Sequence, residues 1–176
     1  GTSEGEGVGL DLESGDILHR WMPHEMGSTR SILIVHGQII TGGGDGSLRC
    51  LQVPTCFSDE GDDDDIVHCD PDTFFYGAST NAELLSLTPK HDGPVMAMAS
   101  RGGGVFISAA QDSSIRIWNL FTDPESPNHA DLLFALKGYK VWLGSVCTDG
   151  TRLVSDGCDN AVVLHDFSPT SENEIA

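Results

Sequence analysis

Positive charge is what this chain has least of. Nine lysines and arginines stand against 27 aspartates and glutamates, for a formal net charge of −18 over 176 residues. Contacts to phosphate backbones demand clustered Lys and Arg, so nucleic acid and anionic membrane surfaces are excluded as direct partners. No apolar run approaches the roughly eighteen residues of a membrane span. No signal-peptide pattern is visible at the N-terminus, an absence without weight if the chain is a processed piece. The five cysteines include no Cys-x-x-Cys pair. An odd set of isolated thiols points to a reducing compartment (cytoplasm, nucleus or an organelle interior) rather than a disulfide framework.

Chemistry-bearing motifs are also scarce. Cys50, Cys56, His68 and Cys69 lack zinc-finger spacing, and the seven histidines are scattered. There is no Gly-x-Ser-x-Gly elbow. Thr41-Gly-Gly-Gly-Asp-Gly-Ser47 has neither a Walker lysine nor a following helix whose N-terminus would face a phosphate. No catalytic residue, cofactor site or metal site is assignable, and the expectation is a protein that is not an enzyme.

What is present is period-two alternation. In Val105–Leu120, VFISAAQDSSIRIWNL, residues Val105, Ile107 and Ala109 alternate before the polar turn Gln111-Asp112-Ser113-Ser114. Ile115 and Ile117 alternate after it, the pattern of two pleated strands. Arg101–Gly104 reads as a hairpin between Ala99 and Val105. The turn recurs: Thr41-Gly-Gly-Gly-Asp45 and Ser155-Asp-Gly-Cys-Asp159 align with Ser108-Ala-Ala-Gln-Asp112, each with a hydroxyl four residues before the Asp. Six residues after each Asp come Leu51, Trp118 or His165. Asp112 and Asp159 lie 47 residues apart and Asp45 and Asp112 lie 67 apart, so one repeat carries an insertion of about twenty residues.

A loop histidine, a strand serine, a turn aspartate and a closing tryptophan, at His91, Ser108, Asp112 and Trp118, resemble a blade of the WD-repeat family. The family's Gly-His and Trp-Asp pairs stand here as Lys90-His91 and Trp118-Asn119. The resemblance implies an all-β propeller and a hydrogen-bonded structural tetrad of His91, Ser108, Asp112 and Trp118. Partial tetrads are implied at Thr41 and Asp45, where His24 reads as a decayed equivalent of His91, and at Ser155 and Asp159. In this last blade Gly138-Tyr139 stands where Gly-His is expected and His165 replaces the Trp.

Blade parts are expected at 1–21, 24–87, 91–136 and 139–167, with an insertion at 54–80 and a tail at 168–176. The last blade is expected to start with a strand over Val141–Val146. About three and a half blades with ragged ends do not close a ring, so the expectation is part of a larger ring of six or seven blades. A compact four-bladed or incomplete ring is the alternative. Trp21 and Trp142 are expected between blades, with exposed anchors as the other reading.

The insertion contains Ser58–Asp72, SDEGDDDDIVHCDPD, whose acidic run includes Asp59, Glu60, Asp62, Asp63, Asp64 and Asp65. It reads as a solvated loop or as a docking segment for a basic partner; it does not match the calcium-loop pattern. The family resemblance implies a non-catalytic protein–protein interaction scaffold, a platform or subunit in a larger complex, with partners that include basic surfaces. Two alternatives stand beside it: a substrate-recruiting subunit of a ubiquitin ligase, and an enzyme with a propeller active site. Against the first, Asp11, Asn119 and Asp166 are followed two positions on by Glu13, Phe121 and Ser168 rather than by Arg or Lys.

Overall fold

Alternating strands need neighbours on both faces, and the sheets supply them by stacking. The structure, a computed structural model, describes residues 3–10, 12–24, 27–36, 38–52, 85–123 and 126–168. Among these are thirteen strands in four antiparallel sheets. The first pairs β1 (Gly7–Leu10) with β2 (Ile17–Trp21). The second runs in order through β3 (Thr29–Val35), β4 (Gln38–Gly43), β5 (Leu48–Gln52) and β6 (Leu85–Leu87). The third runs through β7 (Val95–Gly102), β8 (Val105–Ala110), β9 (Ile115–Asp123) and β10 (Ser126–Leu136). The fourth contains β11 (Val146–Thr148), β12 (Arg152–Asp156) and β13 (Val162–Asp166). Each is a meander in which sequence neighbours pair, the plan of a propeller blade. No helix among the described residues is long and apolar enough to cross a membrane.

The third sheet is covered on both faces, which is why β8 is buried almost throughout. Phe106, Ala110, Trp118 and Leu120 pack against Val35, Ile40, Leu48, Cys50 and Leu87 of the second sheet. From the opposite face Ile107, Ala109, Ile115 and Ile117 meet Leu143, Val146 and Leu153 of the fourth. The second and fourth sheets each leave part of one face open. Along β3 the residues Arg30, Ile32 and Ile34 are exposed while Thr29 and Val35 are buried, and β13 exposes Val162, Leu164 and Asp166.

Two expectations are corrected here. The last blade does not begin with a strand at Val141; β11 starts at Val146. The backbone before it is committed elsewhere, because Val141 accepts a hydrogen bond from Ser113 Oγ at 2.8 Å and Leu143 N–H donates to Ala110 O at 3.3 Å. Trp142 is not between blades but 74% exposed. With Leu143 fully buried and Val141 half-buried beside it, alternation turns the indole outward. The hairpin near Arg101 is tighter than expected: Gly102 pairs with Val105, leaving Gly103 and Gly104 as the turn, both with positive φ, as a two-residue hairpin requires.

Candidate functional site

The turn between the second and third strands of each blade has one construction, used three times. The residue after the turn Asp is left-handed in each: Gly46 (φ 81°), Ser113 (φ 61°) and Asn160 (φ 59°). Gly46 has a second reason to be glycine, since a Cβ there would lie 2.3 Å from His91 O. The turn also grips the loop entering the next blade. His91 N–H donates to Gly46 O at 2.9 Å, and Ser113 Oγ donates to Val141 O.

Behind the turn of the third sheet lies a buried polar centre. His91 Nδ1 is 2.8 Å from Asp112 Oδ2, and His91 Nε2 is 2.8 Å from Ser108 Oγ. Trp118 Nε1–H donates to Ser108 Oγ at 2.9 Å. His91, Ser108 and Trp118 are all fully buried. The donor inventory fixes the direction of the chain. The carboxylate only accepts, so Nδ1 carries the imidazole proton and Nε2 accepts the Ser108 hydroxyl proton. Asp112 also accepts the Asp92 N–H at 3.1 Å, the Ser114 N–H at 3.0 Å and the Ser114 hydroxyl at 2.7 Å. Arg116, itself buried, lies 3.7 Å from the same carboxylate and donates to Pro89 O.

The second sheet repeats this centre. His24 Nε2 is 3.1 Å from Thr41 Oγ1, its Nδ1 is 3.0 Å from Ser47 Oγ, and it lies 3.4 Å from Asp45. Ser47 bonds Asp45 through both its hydroxyl and its N–H. His24 is therefore not a decayed position: it is fully buried and bonded. Only the tryptophan differs, with Leu51 in its place. In the fourth sheet Tyr139 Oη bonds His165 Nε2 at 2.7 Å, the two rings meeting edge-on. Ser155 is buried beside them, and Asp159 lies in the short 3₁₀ turn Cys158–Asn160.

Two participants escaped the sequence reading: Ser114 and Arg116. Their signal was present, since a serine two residues and an arginine four residues after the turn Asp occur in both Asp45-Gly-Ser47-Leu-Arg49 and Asp112-Ser-Ser114-Ile-Arg116. The last blade has Ala161 and Val163 there.

Ser108, His91 and Asp112 have the connectivity of a nucleophilic triad, but not its exposure. The Ser108 hydroxyl is sealed from solvent, its proton is given to His91 and its oxygen accepts the indole N–H. No carbonyl carbon can reach it. The cluster holds the loop of His91 to the strands.

Burial lowers the His91 and His24 imidazoles below 6.5, outweighing Asp112 and Asp45, which act to raise them. Burial pushes the Asp112 carboxyl up, but the hydrogen bonds from Ser114 and His91 outweigh it and hold it below 3.8; Asp45, bonded by Ser47, is likewise lowered. The unfolded chain therefore binds more protons than the folded one once pH falls below 6.5. Stability should be full above that value and fall on acidification, by up to about 1.4 kcal/mol per pH unit for each histidine, with the two carboxylates adding to the loss at lower pH. Calorimetry between about pH 7.5 and 5 checks this: the melting temperature should fall, and a His91→Gln chain should show a shallower slope. A level profile contradicts the burial of neutral imidazoles.

Cys50 is a buried thiol pushed up to about 12 by burial, and it donates to Gln38 Oε1. It is a packing residue. Cys56, His68 and Cys69 lie outside the described residues, as do Asp59, Glu60, Asp62, Asp63, Asp64 and Asp65.

The sequence of residues 82–119 matches the family described as "WD domain, G-beta repeat". No curated protein matches the chain. Among solved structures, 94% of the chain is similar to 82% of the computationally designed Ika4 protein, at 17% identity and a TM-score of 0.65. A second designed protein, Ika8, is similar over 93% of this chain (17% identity, TM-score 0.64), and U3-55K over 92% (14% identity, TM-score 0.60). The chain spans 41% and 46% of the lengths of these last two. Residues 82–119 match a WD repeat, and with sheets of the same plan on either side the fold of the chain is that of β-propeller blades.

Proposed function

We propose that this chain is a non-catalytic protein–protein interaction platform, a stretch of a larger six- to seven-bladed ring serving as a subunit of a multi-protein complex. The observation that carries the reading is the state of the polar centres. The groups that could do chemistry around His91 are spent internally on fixing loops, which leaves a rigid scaffold that carries loops. The WD40 repeat at 82–119 supports the same role.

The larger ring is supported by the two uncovered sheet faces. Ile32 and Ile34 (43% and 66% exposed) and Val162 and Leu164 (71% and 58%) are apolar pairs on the faces turned away from the stack. The remaining strands of the blade to which β1 and β2 belong, on one side, and a further blade on the other would bury them. Within the ring, the blade parts are 1–21, 24–87, 91–136 and 139–167, with the acidic insertion 54–80 as a docking loop for basic partner surfaces and 168–176 as a tail. The compartment is a reducing one.

The test is affinity capture of the native protein beside a chain whose acidic run, Asp59 to Asp65, is replaced by Gly and Ser. Stoichiometric partners should co-purify with the native chain, and those with basic surfaces should be lost from the variant. A native protein that purifies without partners overturns the platform reading; identical partners on both chains overturn the role of the loop.

A further inference from the structure

Four Asp-Gly pairs occur in the chain: Asp45-Gly46, Asp92-Gly93, Asp149-Gly150 and Asp156-Gly157. In such a pair the glycine nitrogen can attack the side-chain carboxyl of the aspartate, since no Cβ on the glycine obstructs the approach. Folding decides which pairs can react, through what it does with the two groups. In three pairs both groups are engaged. Asp45 is bonded by Ser47, and Gly46 N–H donates to Gly43 O at 3.2 Å. Asp149 accepts from the Thr151 and Arg152 N–H groups, and Gly150 N–H donates to Thr148 Oγ1 at 3.1 Å. Asp156 accepts from the Gly144 and Ser145 N–H groups, and Gly157 N–H donates to Ala161 O at 2.9 Å. Asp92 differs on both counts. Its side chain is exposed, and neither its carboxylate nor Gly93 N–H has a hydrogen-bond partner among the described residues. The pair lies in the loop from β6 to β7, between two sheets that are both present, so completing the ring adds no strand beside it.

We propose that Asp92 is a site of spontaneous isoaspartate formation, and that the change loosens the loop that carries His91. The Gly93 nitrogen bonds to Asp92 Cγ and gives up its proton, while the protonated carboxyl gives up its hydroxyl. The two depart as water and leave a succinimide. Water then adds back, and opening at the main-chain carbonyl routes the backbone through Cβ and Cγ. The net change is an isomerisation, without oxidant or other reactant. It lengthens the backbone by one methylene between fixed points. His91 N–H is held by Gly46 O at 2.9 Å, Asp92 N–H by Asp112 Oδ2 at 3.1 Å, and Pro94 O by Gln111 N–H at 2.9 Å. A longer path between these anchors draws Asp92 N–H away from Asp112.

The experiment ages the full chain at physiological temperature and neutral pH, beside the same chain in urea. Trypsin then places the four pairs in separate peptides, 31–49, 91–101, 141–152 and 153–176. Isoaspartate shows as a species of unchanged mass and shifted retention that an isoaspartyl carboxyl methyltransferase labels. In urea all four peptides should acquire it. In the folded chain it should build up several-fold faster in 91–101 than in the other three. Equal accumulation, or none in 91–101, overturns the assignment. The aged native chain should also melt below the fresh one, whereas Asp92→Glu, whose longer side chain closes the ring far less readily, should melt alike before and after. An isomerised chain that melts as the fresh one does, or an equal fall in the Asp92→Glu chain, overturns the loosening of the loop. None of these outcomes bears on the platform reading, which co-purification tests separately.

Discussion

Trp118→Ala is expected to remove about 4 kcal/mol of stability, because it empties the space of the largest fully buried side chain. The indole stacks on Phe106 with ring centroids 6.1 Å apart and an interplanar angle of 10°. It belongs to the cluster that joins the second sheet to the third through Val35, Ile40, Leu48, Cys50 and Leu87. Rigid strands on both sides limit how far such a cavity collapses. The same substitution takes the N–H from Ser108 Oγ, a smaller loss, since the Ser108 hydroxyl keeps its bond to His91. For a chain of this size the melting temperature should fall by roughly 10 °C. Trp118→Phe separates the two contributions: it keeps most of the volume, loses the donor and should cost about 1–2 kcal/mol. Thermal unfolding of the two variants decides the matter. An alanine variant that melts with the native chain would mean that the sheets are not packed through this residue.

The repeat was legible because several rules coincide at the same offsets. His24, Thr41, Asp45, Ser47, Arg49 and Leu51 lie 67 residues before His91, Ser108, Asp112, Ser114, Arg116 and Trp118. Period-two alternation between them needs no tertiary information. Histidine 17 residues before a strand hydroxyl is enough to place the ring, as both centres do. Leu51 in place of a tryptophan does not mean that the whole centre is lost. The imidazole is held by Thr41 and Ser47, neither of which depends on an indole.

Less legible were features set by contacts between blades. Val141–Val146 has the alternation of a strand, but its backbone groups at 141 and 143 are taken by the turn of the preceding blade. Only tertiary structure reveals that competition. Trp142 is exposed for the same reason: the anchoring of its neighbours, not its hydrophobicity, sets its direction. The Tyr139–His165 pair was hidden because Tyr139 is one residue out of register with His91 at the 47-residue offset and substitutes a longer reach for a different ring. The acidic run offers no such purchase. Its composition states charge, and charge alone does not choose between solvation and docking.

The three blades form a graded series in which the least altered centre is also the most enclosed. The third sheet, covered on both faces, keeps His91, Ser108, Asp112 and Trp118 in one bonded chain. The second, with Ile32 and Ile34 exposed on its free face, keeps the imidazole and the hydroxyls but not the indole. The fourth, with Val162 and Leu164 exposed, has exchanged imidazole for phenol. Desolvation explains the order. A polar centre between two packed sheets must be fully satisfied, because every unmatched donor there has no water to turn to. In the fourth sheet Tyr139 and His165 are only half-buried, so a substituted group there retains that recourse and its replacement costs less; the buried Leu51 of the second sheet is apolar and makes no such demand.

Asp112 is where that argument has its sharpest consequence, and Asp112→Ala is expected to cost about 3 kcal/mol. Removing the carboxylate strands the His91 Nδ1–H, the Asp92 and Ser114 N–H groups and the Ser114 hydroxyl at once. It also leaves the buried Arg116 guanidinium without its anion. A void the size of a carboxylate admits at most a little water, which recovers only part of this. Asp112→Asn tests the direction of the proton chain. An amide keeps one acceptor for Ser114 but turns N–H toward His91 if its oxygen stays there. The imidazole must then protonate Nε2 instead, and Ser108 Oγ would face two N–H donors with nowhere to send its own proton. The asparagine variant should therefore lose about 1–2 kcal/mol despite near-identical volume, and denaturant unfolding of the two variants should rank them alanine below asparagine below native. If asparagine instead matches the native protein, His91 does not need an acceptor at Nδ1, and the chain running from indole to hydroxyl to imidazole to carboxylate is not what fixes this loop.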